Sequence, residues 1–180
     1  KIGVSLYSFH NYASEDSLGI KGCIDKVKEF GAEGVDFVEV GGFEDINAYI
    51  AYAKDIGEYC RSVDIKPLCF CIGADFLNKD FDAEVERVKG MVDVAAAYGC
   101  PVMRHDATPG YPPEVKTGRS FDAVLPILSK AYRLVTEYAE TKGVKTCIEN
   151  HGFFAQVPDR VERLVNAVDH PNFGVLVDIG

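Results

Sequence analysis

Short apolar runs alternate along the chain with longer segments of helical periodicity, and this order constrains the fold more than any other feature. Strand candidates occupy residues 2–7, 35–40, 66–72, 102–106, 145–150 and 173–178. Between them, apolar residues recur at spacings of three and four, which predicts an amphipathic helix in each interval. A repeated strand–helix order requires parallel strands joined by right-handed crossovers. The sequence therefore predicts an α/β fold.

Glycines and a proline mark the ends of these helices. Gly31, Gly99 and Gly143 each follow a helical run and precede a strand. Glycine at this position lets the backbone turn at positive φ, which stops a helix. Pro158 suits the first turn of the last helix, where a missing N–H is tolerated.

Two architectures fit this alternation: an open doubly wound sheet and a (β/α)8 TIM barrel. In residues 68–73, large side chains (Leu68, Phe70, Ile72) alternate with small ones (Cys69, Cys71, Gly73). A large outer face under helices and a small inner face suit a barrel. No GxGxxG or GxxxxGK[ST] motif follows a strand, which disfavours the nucleotide-binding sheet. The barrel is the favoured fold.

Composition limits the partners. The 180 residues include 19 Lys+Arg and 28 Asp+Glu, a formal net charge of −9. A nucleic-acid partner selects for a basic face, so none is expected. No run reaches the roughly 18 apolar residues of a membrane span. The six cysteines lie in apolar runs, which predicts reduced core thiols and a cytoplasmic location.

The length is short for the favoured fold. A TIM barrel needs about 250 residues, and this sequence supplies strands one to six. We therefore expect residues 1–180 to be a single TIM barrel domain that is truncated at its C-terminal end. Its open edges would be covered by further polypeptide, which predicts a homo-oligomer or a hetero-complex.

Polar residues follow every predicted strand, at the barrel face where catalytic groups lie. They are Tyr7, His10, Glu39, Asp75, Arg104, His105, Asp106, Glu149, His151 and Asp178. Alternation puts Glu149 and His151 on one face of a strand, and Asp178 ends the next strand. Two such carboxylates can share a divalent cation, or they can be strand-end caps or salt-bridge partners.

Arg104 and His105 are adjacent, so alternation lets only one of them face inward. An inward Arg104 would clamp a carboxylate or hydroxyl groups, and an inward His105 would be a base. After them, residues 106–120 contain three prolines and two glycines. This long loop is either a lid, with Tyr111 closing over a bound substrate, or an ordinary surface loop.

Three segments carry motifs in order along the chain: 32–40 (AEGVDFVEV), 147–152 (CIENHG) and 170–180 (HPNFGVLVDIG). They resemble the second-, fifth- and sixth-strand motifs of the xylose isomerase-like TIM barrel superfamily, which contains sugar isomerases, epimerases and their relatives. The resemblance implies that Glu149 and Asp178 bind a divalent metal, Mn²⁺ first, with Mg²⁺, Co²⁺ or Zn²⁺ as alternatives. A His and a Glu beyond residue 180 would complete the metal site.

The resemblance also implies a reaction. A proton would leave the carbon next to a carbonyl of a small sugar, and an enediolate would form. Glu149 would be both ligand and acid–base group, and His151 would contact hydroxyls or shuttle protons. Glu39 would bind substrate, and Tyr7, Arg104 and His105 are the further substrate-binding candidates.

Three alternatives to a sugar isomerase or epimerase remain open. A lyase of the same superfamily, of the inosose dehydratase or C-glycoside-cleaving type, would use the same proton abstraction on a keto-sugar. An enzyme like endonuclease IV would cleave abasic DNA, although the acidic charge and Asp75 after the third strand disfavour it. A non-catalytic barrel would bind no metal.

Overall fold

The computed structural model describes residues 2–14 and 16–179, and it contains all six predicted strands. These are β1 (Gly3–Ser5), β2 (Gly34–Val38), β3 (Lys66–Ile72), β4 (Val102–His105), β5 (Lys145–Glu149) and β6 (Phe173–Leu176). The helices are α1 (Gly19–Glu29), α2 (Ile46–Ser62), α3 (Phe81–Tyr98), α4 (Phe121–Thr141), α5 (Gly152–Ala155) and α6 (Pro158–Val168). The predicted alternation of strands and helices is confirmed.

The helix boundaries agree with the local signals. Gly31, Gly99 and Gly143 have φ values of 77°, 85° and 71°, the left-handed region in which a glycine ends a helix. Pro158 is the first residue of α6. Because each turn is made directly after a helix, the chain returns to the next strand within a few residues.

Two short helices were not predicted. A 3₁₀ helix, Leu6–Phe9, replaces the end of the first predicted strand, and the Ser5 side chain accepts the Tyr7 N–H at its start. Helix α5 begins directly after β5 because Gly152 adopts φ 81°, which turns the chain at once. Four-residue segments leave no periodicity for a sequence to reveal.

The chain divides into two compact units, and the first comprises Lys1–Cys71 and Asp93–Val102. Its strands are parallel, in the order β1-β2-β3. On one side of β2 and β3, Phe37 stacks on Tyr98 with ring centroids 4.2 Å apart, and Phe70 packs against the same ring. This aromatic cluster is the core beneath the helices of the unit.

Leu68 departs from the alternation expected in β3. The register shifts between Val35 and Asp36, which leaves Leu68 without a partner residue in β2. Leu68 instead covers Gly3 and Gly34, and a Cβ on Gly34 would lie 2.6 Å from Leu68 Cγ. Leu68 and Phe70 therefore point to opposite faces of the strand, because a bulge shifts the parity by one residue.

The second unit comprises Ile72–Val92 and Met103–Gly180, with strands in the order β4-β5-β6. Strands β5 and β6 are parallel, with Thr146 opposite Phe173 and Glu149 opposite Leu176. The ring of Tyr132 on α4 is fully buried, and it packs against Phe173 with centroids 4.9 Å apart. This register brings the carboxyl ends of β5 and β6 to the same edge.

All six cysteines are free, as predicted, and the Sγ atoms of Cys69 and Cys71 are 3.9 Å apart. Burial raises the pKa of the Cys100 thiol far above its ordinary value, so this thiol stays protonated. Within residues 2–14 and 16–179, no helix has the length and apolarity needed to cross a membrane.

Candidate active site

The guanidinium of Arg104, on β4, contacts three polar side chains in the second unit. Its Nη2 lies 2.5 Å from Glu149 Oε2, 3.0 Å from Asp106 Oδ1 and 3.0 Å from His151 Nδ1. The side chains of Arg104 and Glu149 are 10% and 19% exposed. Partial burial strengthens these charged contacts, so the group is held in one arrangement. We call Arg104, Asp106, Glu149 and His151 the Arg104 cluster.

His105 points away from the Arg104 cluster. Its ring stacks on Tyr132 with centroids 4.4 Å apart, and Phe76 packs edge-on against it. The ring is completely buried, and burial lowers the pKa of His105 to about 4. Strand alternation forces this result once Arg104 faces Glu149. The placement does not fit the substrate-binding role expected for His105, because no substrate could reach the ring.

Asp106 was predicted as a strand-end residue without an assigned role, and the structure places it in the Arg104 cluster. It lies two residues after Arg104, so both side chains leave the same face of the chain. Its Oδ1 is also 3.8 Å from His151 Nδ1. The i, i+2 spacing in the sequence could have indicated Asp106 as soon as Arg104 was placed inward.

His151 presents its other ring nitrogen outward. Arginine can only donate, so the 3.0 Å contact with Arg104 Nη2 requires a lone pair on His151 Nδ1. The neutral ring in this arrangement therefore carries its proton on Nε2. Since the side chain is 60% exposed, this N–H is available to a bound molecule.

Asn150 joins the ends of β5 and β6. Its Nδ2 donates to the carbonyl oxygen of Asp178 at 2.8 Å, and its Oδ1 accepts the Asp178 N–H at 2.6 Å. This reciprocal pair of hydrogen bonds replaces ladder bonds where the strands have ended. It fixes the backbone of Asp178 beside the strand that carries Glu149.

Glu149 and Asp178 fit a divalent metal by donor type, since carboxylate oxygens suit Mn²⁺ and Mg²⁺. However, the described residues, 2–14 and 16–179, contain no group of three or more His, Cys, Asp or Glu arranged to hold a metal. The two carboxylates can therefore supply only part of a ligand set. The Arg104 guanidinium balances the charge of Glu149 in this arrangement.

Tyr7 and Glu39 lie in the first unit. Tyr7 is in the 3₁₀ helix, 69% exposed, and its ring stacks on His10 with centroids 5.6 Å apart. Glu39 follows β2 on the surface, and its backbone N–H donates to the carbonyl oxygen of Cys71 at 2.9 Å. Both side chains are accessible, as a substrate-binding role requires.

Asp75, another predicted strand-end residue, forms hydrogen bonds that connect two loops. Its Oδ1 accepts from the Thr108 hydroxyl at 2.7 Å, and its backbone N–H donates to Glu84 at 2.8 Å. Glu84 also pairs with Arg87, which donates to the carbonyl oxygen of Gly73 at 2.6 Å. This network ties the loop after β3 to the loop after β4.

The loop of residues 106–120 is anchored by Tyr111. The Tyr111 hydroxyl donates to the carbonyl oxygen of Ser120 at 3.0 Å, and its ring packs edge-on against Phe153 and Phe154. One side of Tyr111 lines an apolar cavity of about 550 Å³ beside Phe76 and α4. The described contacts show an anchored loop, and the lid role stays a prediction.

The family model described as xylose isomerase-like TIM barrel matches residues 24–180. The chain belongs to this family. No curated protein sequence matches it significantly. Among solved structures, it is similar to a protein of Anabaena variabilis assigned as a sugar phosphate isomerase/epimerase. That match has 22% identity and a TM-score of 0.75, and it covers 99% of this chain and 63% of the other.

Two further members of the fold are similar at lower identity. One is the protein AsbF of Bacillus anthracis, assigned as a 3-DHS dehydratase, with 17% identity, a TM-score of 0.74 and coverage of 99% and 62%. The other, a xylose isomerase-like TIM barrel protein of Mycobacterium smegmatis, was solved in complex with magnesium. It has 15% identity, a TM-score of 0.72 and coverage of 99% and 64%. The chain thus spans under two thirds of the length of each of these three proteins.

Proposed function

We propose that this xylose isomerase-like protein is a metal-dependent isomerase or epimerase of sugars or sugar phosphates. The observation that carries the proposal is the Arg104 cluster, in which a charged Glu149 and an exposed His151 stand together at strand ends. The similarity to the Anabaena variabilis protein supports the substrate class. The magnesium complex of the Mycobacterium smegmatis protein supports a divalent metal.

Glu149 is the group that moves the proton. Its Oε2 forms an ion pair with Arg104 Nη2 at 2.5 Å, which leaves Oε1 for proton transfer from a carbon next to a carbonyl. Arg104 keeps the carboxylate oriented, which a general base needs. Asp106 shares the positive charge of Arg104, so Glu149 is not neutralised completely.

His151 acts on the substrate oxygens. The Nε2–H of His151 donates to a carbonyl or hydroxyl oxygen and stabilises the charge that develops there. Glu149 and Asp178 would hold a divalent cation, which would supply polarisation of the substrate oxygens when bound. Asn150 holds the Asp178 backbone, which keeps the two carboxylates at one edge of the sheet.

A lyase acting on a keto-sugar is the second candidate. The 3.0 Å contact between Arg104 and His151 favours it, because the Nε2–H of the neutral ring can donate a hydrogen bond to the oxygen of a leaving group and stabilise its developing charge. The similarity to AsbF, assigned as a dehydratase, points the same way. Both candidates share the first proton abstraction and differ in the step that follows.

Deuterium exchange tests the shared step. The protein is incubated with Mn²⁺ in D₂O, with ketoses and ketose phosphates in one series and 3-keto glycosides in another. NMR then follows deuterium at the carbon next to the carbonyl, epimer formation and release of a leaving group. Epimer formation supports the isomerase proposal, and release of a leaving group supports the lyase.

A matched pair of variants makes the test specific to the site. Glu149→Gln removes the base without changing its size, and we expect a loss of roughly 10²–10⁴-fold in exchange. Glu58→Gln removes the same charge from an exposed position on α2 and leaves exchange unchanged. Exchange that persists in Glu149→Gln would refute the role of Glu149. A folded, metal-loaded protein that exchanges none of the substrates would refute the proposed function.

A further inference from the structure

A second cavity in the second unit has an unusual lining for this acidic chain. Its volume is about 580 Å³, within the range of small-molecule sites. Three arginines and two aspartates line it, together with aromatic side chains of α4 and α5. The whole chain, in contrast, carries a net charge of −9. We call this the Arg160 cavity.

Arg160 is the central cation of the Arg160 cavity. Its guanidinium carbon lies 5.9 Å from the ring centroids of both Phe121 and Phe154, so aromatic rings hold the group in place. Across the described residues, no hydrogen-bond acceptor and no carboxylate pairs with its side chain. Arg160 is therefore half-buried and held by two aromatic rings, and its side-chain N–H groups donate no hydrogen bond to a described residue.

Arg119 contributes a second positive charge to the same cavity. Its Nε donates to the carbonyl oxygen of Val115 at 2.7 Å, and its guanidinium lies 5.6 Å from the Tyr111 ring centroid. No carboxylate of the described chain forms an ion pair with it. Arg119 and Arg160 therefore leave two charges without a counterion.

Arg163 is different, because its charge is already balanced. It forms a close ion pair with Asp122 and lies 3.8 Å from Asp159. Its guanidinium carbon is 5.2 Å from the Phe121 ring, the ring that Arg160 also contacts. Spacing of three residues on α6 places Arg160 and Arg163 on one helix face.

We propose that the Arg160 cavity binds a phosphate monoester whose organic group is apolar or planar. A phosphate monoester carries nearly two negative charges at neutral pH, and the three arginines and two aspartates of the lining leave a net positive charge to attract it. The planar guanidinium of arginine donates two parallel hydrogen bonds to phosphate oxygens. This site is separate from the Arg104 cluster, and the proposal does not depend on the proposed activity.

The apolar residues that line the Arg160 cavity indicate the organic group of the phosphate ester. Phe153 and Val157 are 51% and 43% exposed, although both are apolar. Inorganic phosphate would leave these surfaces in water, whereas a ring attached to the phosphate would cover them. Burial of apolar area contributes about 25 cal/mol per Å², so the ester binds more tightly than the free ion.

Isothermal titration calorimetry with phenyl phosphate and inorganic phosphate tests the proposal on the metal-free protein. We expect phenyl phosphate to bind more tightly than inorganic phosphate. Arg160→Gln should weaken phenyl phosphate at least tenfold, or about 1.4 kcal/mol, and Arg119→Gln should weaken it similarly. Arg160→Lys keeps the positive charge but loses the two parallel N–H donors of the guanidinium, and should retain part of the affinity for phenyl phosphate.

Two control variants separate the possible outcomes. Arg61→Gln removes an exposed charge from α2, outside the cavity, and should bind phenyl phosphate as the unaltered protein does. Glu149→Gln should also bind it normally while losing proton exchange. No binding of either anion, equal losses in Arg61→Gln and Arg160→Gln, or unchanged binding in Arg160→Gln would each overturn the inference. Loss of phenyl phosphate binding in Glu149→Gln would show that the anion binds at the Arg104 cluster. That result would overturn the inference and leave the proposed function unaffected.

Discussion

Replacing Arg104 should destabilise the protein more than replacing its ion-pair partner Glu149. Arg104→Gln leaves the carboxylates of Glu149 and Asp106 side by side without a cation. Glu149→Gln leaves Arg104 with Asp106, whose Oδ1 is 3.0 Å away. The asymmetry follows because one cation serves two carboxylates, so only its loss leaves uncompensated charge.

The magnitudes follow from the burial of the pair. Breaking a fully buried ion pair costs about 3–5 kcal/mol. Because the Glu149 side chain keeps 19% of its exposure and Asp106 keeps 30%, water recovers part of this loss. We expect about 3 kcal/mol for Arg104→Gln and about 1–2 kcal/mol for Glu149→Gln. In a chain of this size, 3 kcal/mol lowers Tm by roughly 6–12 °C.

Urea unfolding of the two single variants and the double variant measures these free energies. The double variant should be less destabilised than the sum of the singles, because the two residues interact directly. Arg61→Gln, which removes an exposed arginine, should change stability by under about 0.5 kcal/mol. A smaller loss for Arg104→Gln than for Glu149→Gln, or additive losses, would refute the account of a shared cation.

Three further changes probe the fold. Burial holds the pKa of His105 near 4. Between about pH 6.5 and 4, the unfolded chain therefore binds a proton at this residue that the folded chain does not. The free energy of unfolding should fall by up to ~3 kcal/mol as the pH is lowered through that range. His105→Phe should flatten this slope in urea unfolding. Gly57→Ala should cost about 1–3 kcal/mol in thermal unfolding, because the new Cβ would lie 2.3 Å from the carbonyl oxygen of Tyr98. Asn150→Ala should speed hydrogen exchange of the Asp178 amide, whose acceptor is removed.

Each of these changes has a matched control. His10→Asn alters an exposed histidine and should keep the pH slope, so equal slopes in the unaltered protein and His105→Phe would contradict the assignment to His105. Ala51→Ser on the exposed face of α2 should be tolerated, and a Gly57→Ala variant of full stability would show that the helices can separate. An unchanged hydrogen-exchange rate of the Asp178 amide in Asn150→Ala would mean that another acceptor protects the amide.

Local patterns account for most of the predicted fold. The alternation of apolar runs with helical periodicity predicted all six strands that the structure contains, and the glycines after the helices predicted the turns. The errors lie where a single residue changes the geometry. Leu68 left the expected face because of a bulge, and Gly152 began a short helix where a loop was expected. Neither event changes composition or periodicity, so neither leaves a signal in the sequence.

The candidate site divides in the same way. Motif resemblance and strand alternation pointed to Glu149 and His151 from the sequence. Alternation also allowed two orientations for the pair Arg104 and His105, and it could not choose between them. The choice depends on which side chain finds better partners, a buried aromatic pocket for the imidazole or carboxylates for the guanidinium. Those partners come from β5 and α4, which are distant in sequence.

The sequence by itself determined the order of elements, the parallel arrangement of strands, and the family whose motifs lie at the strand ends. Periodicity and turn chemistry are local, so they can be read without knowing what packs against them. Only the tertiary structure decided that one guanidinium contacts Glu149, Asp106 and His151 together, and that Arg160 lies against two phenyl rings with no ion pair to any described residue. Charge pairing and burial depend on residues brought together from separate elements, and their energies exist only once the chain has folded.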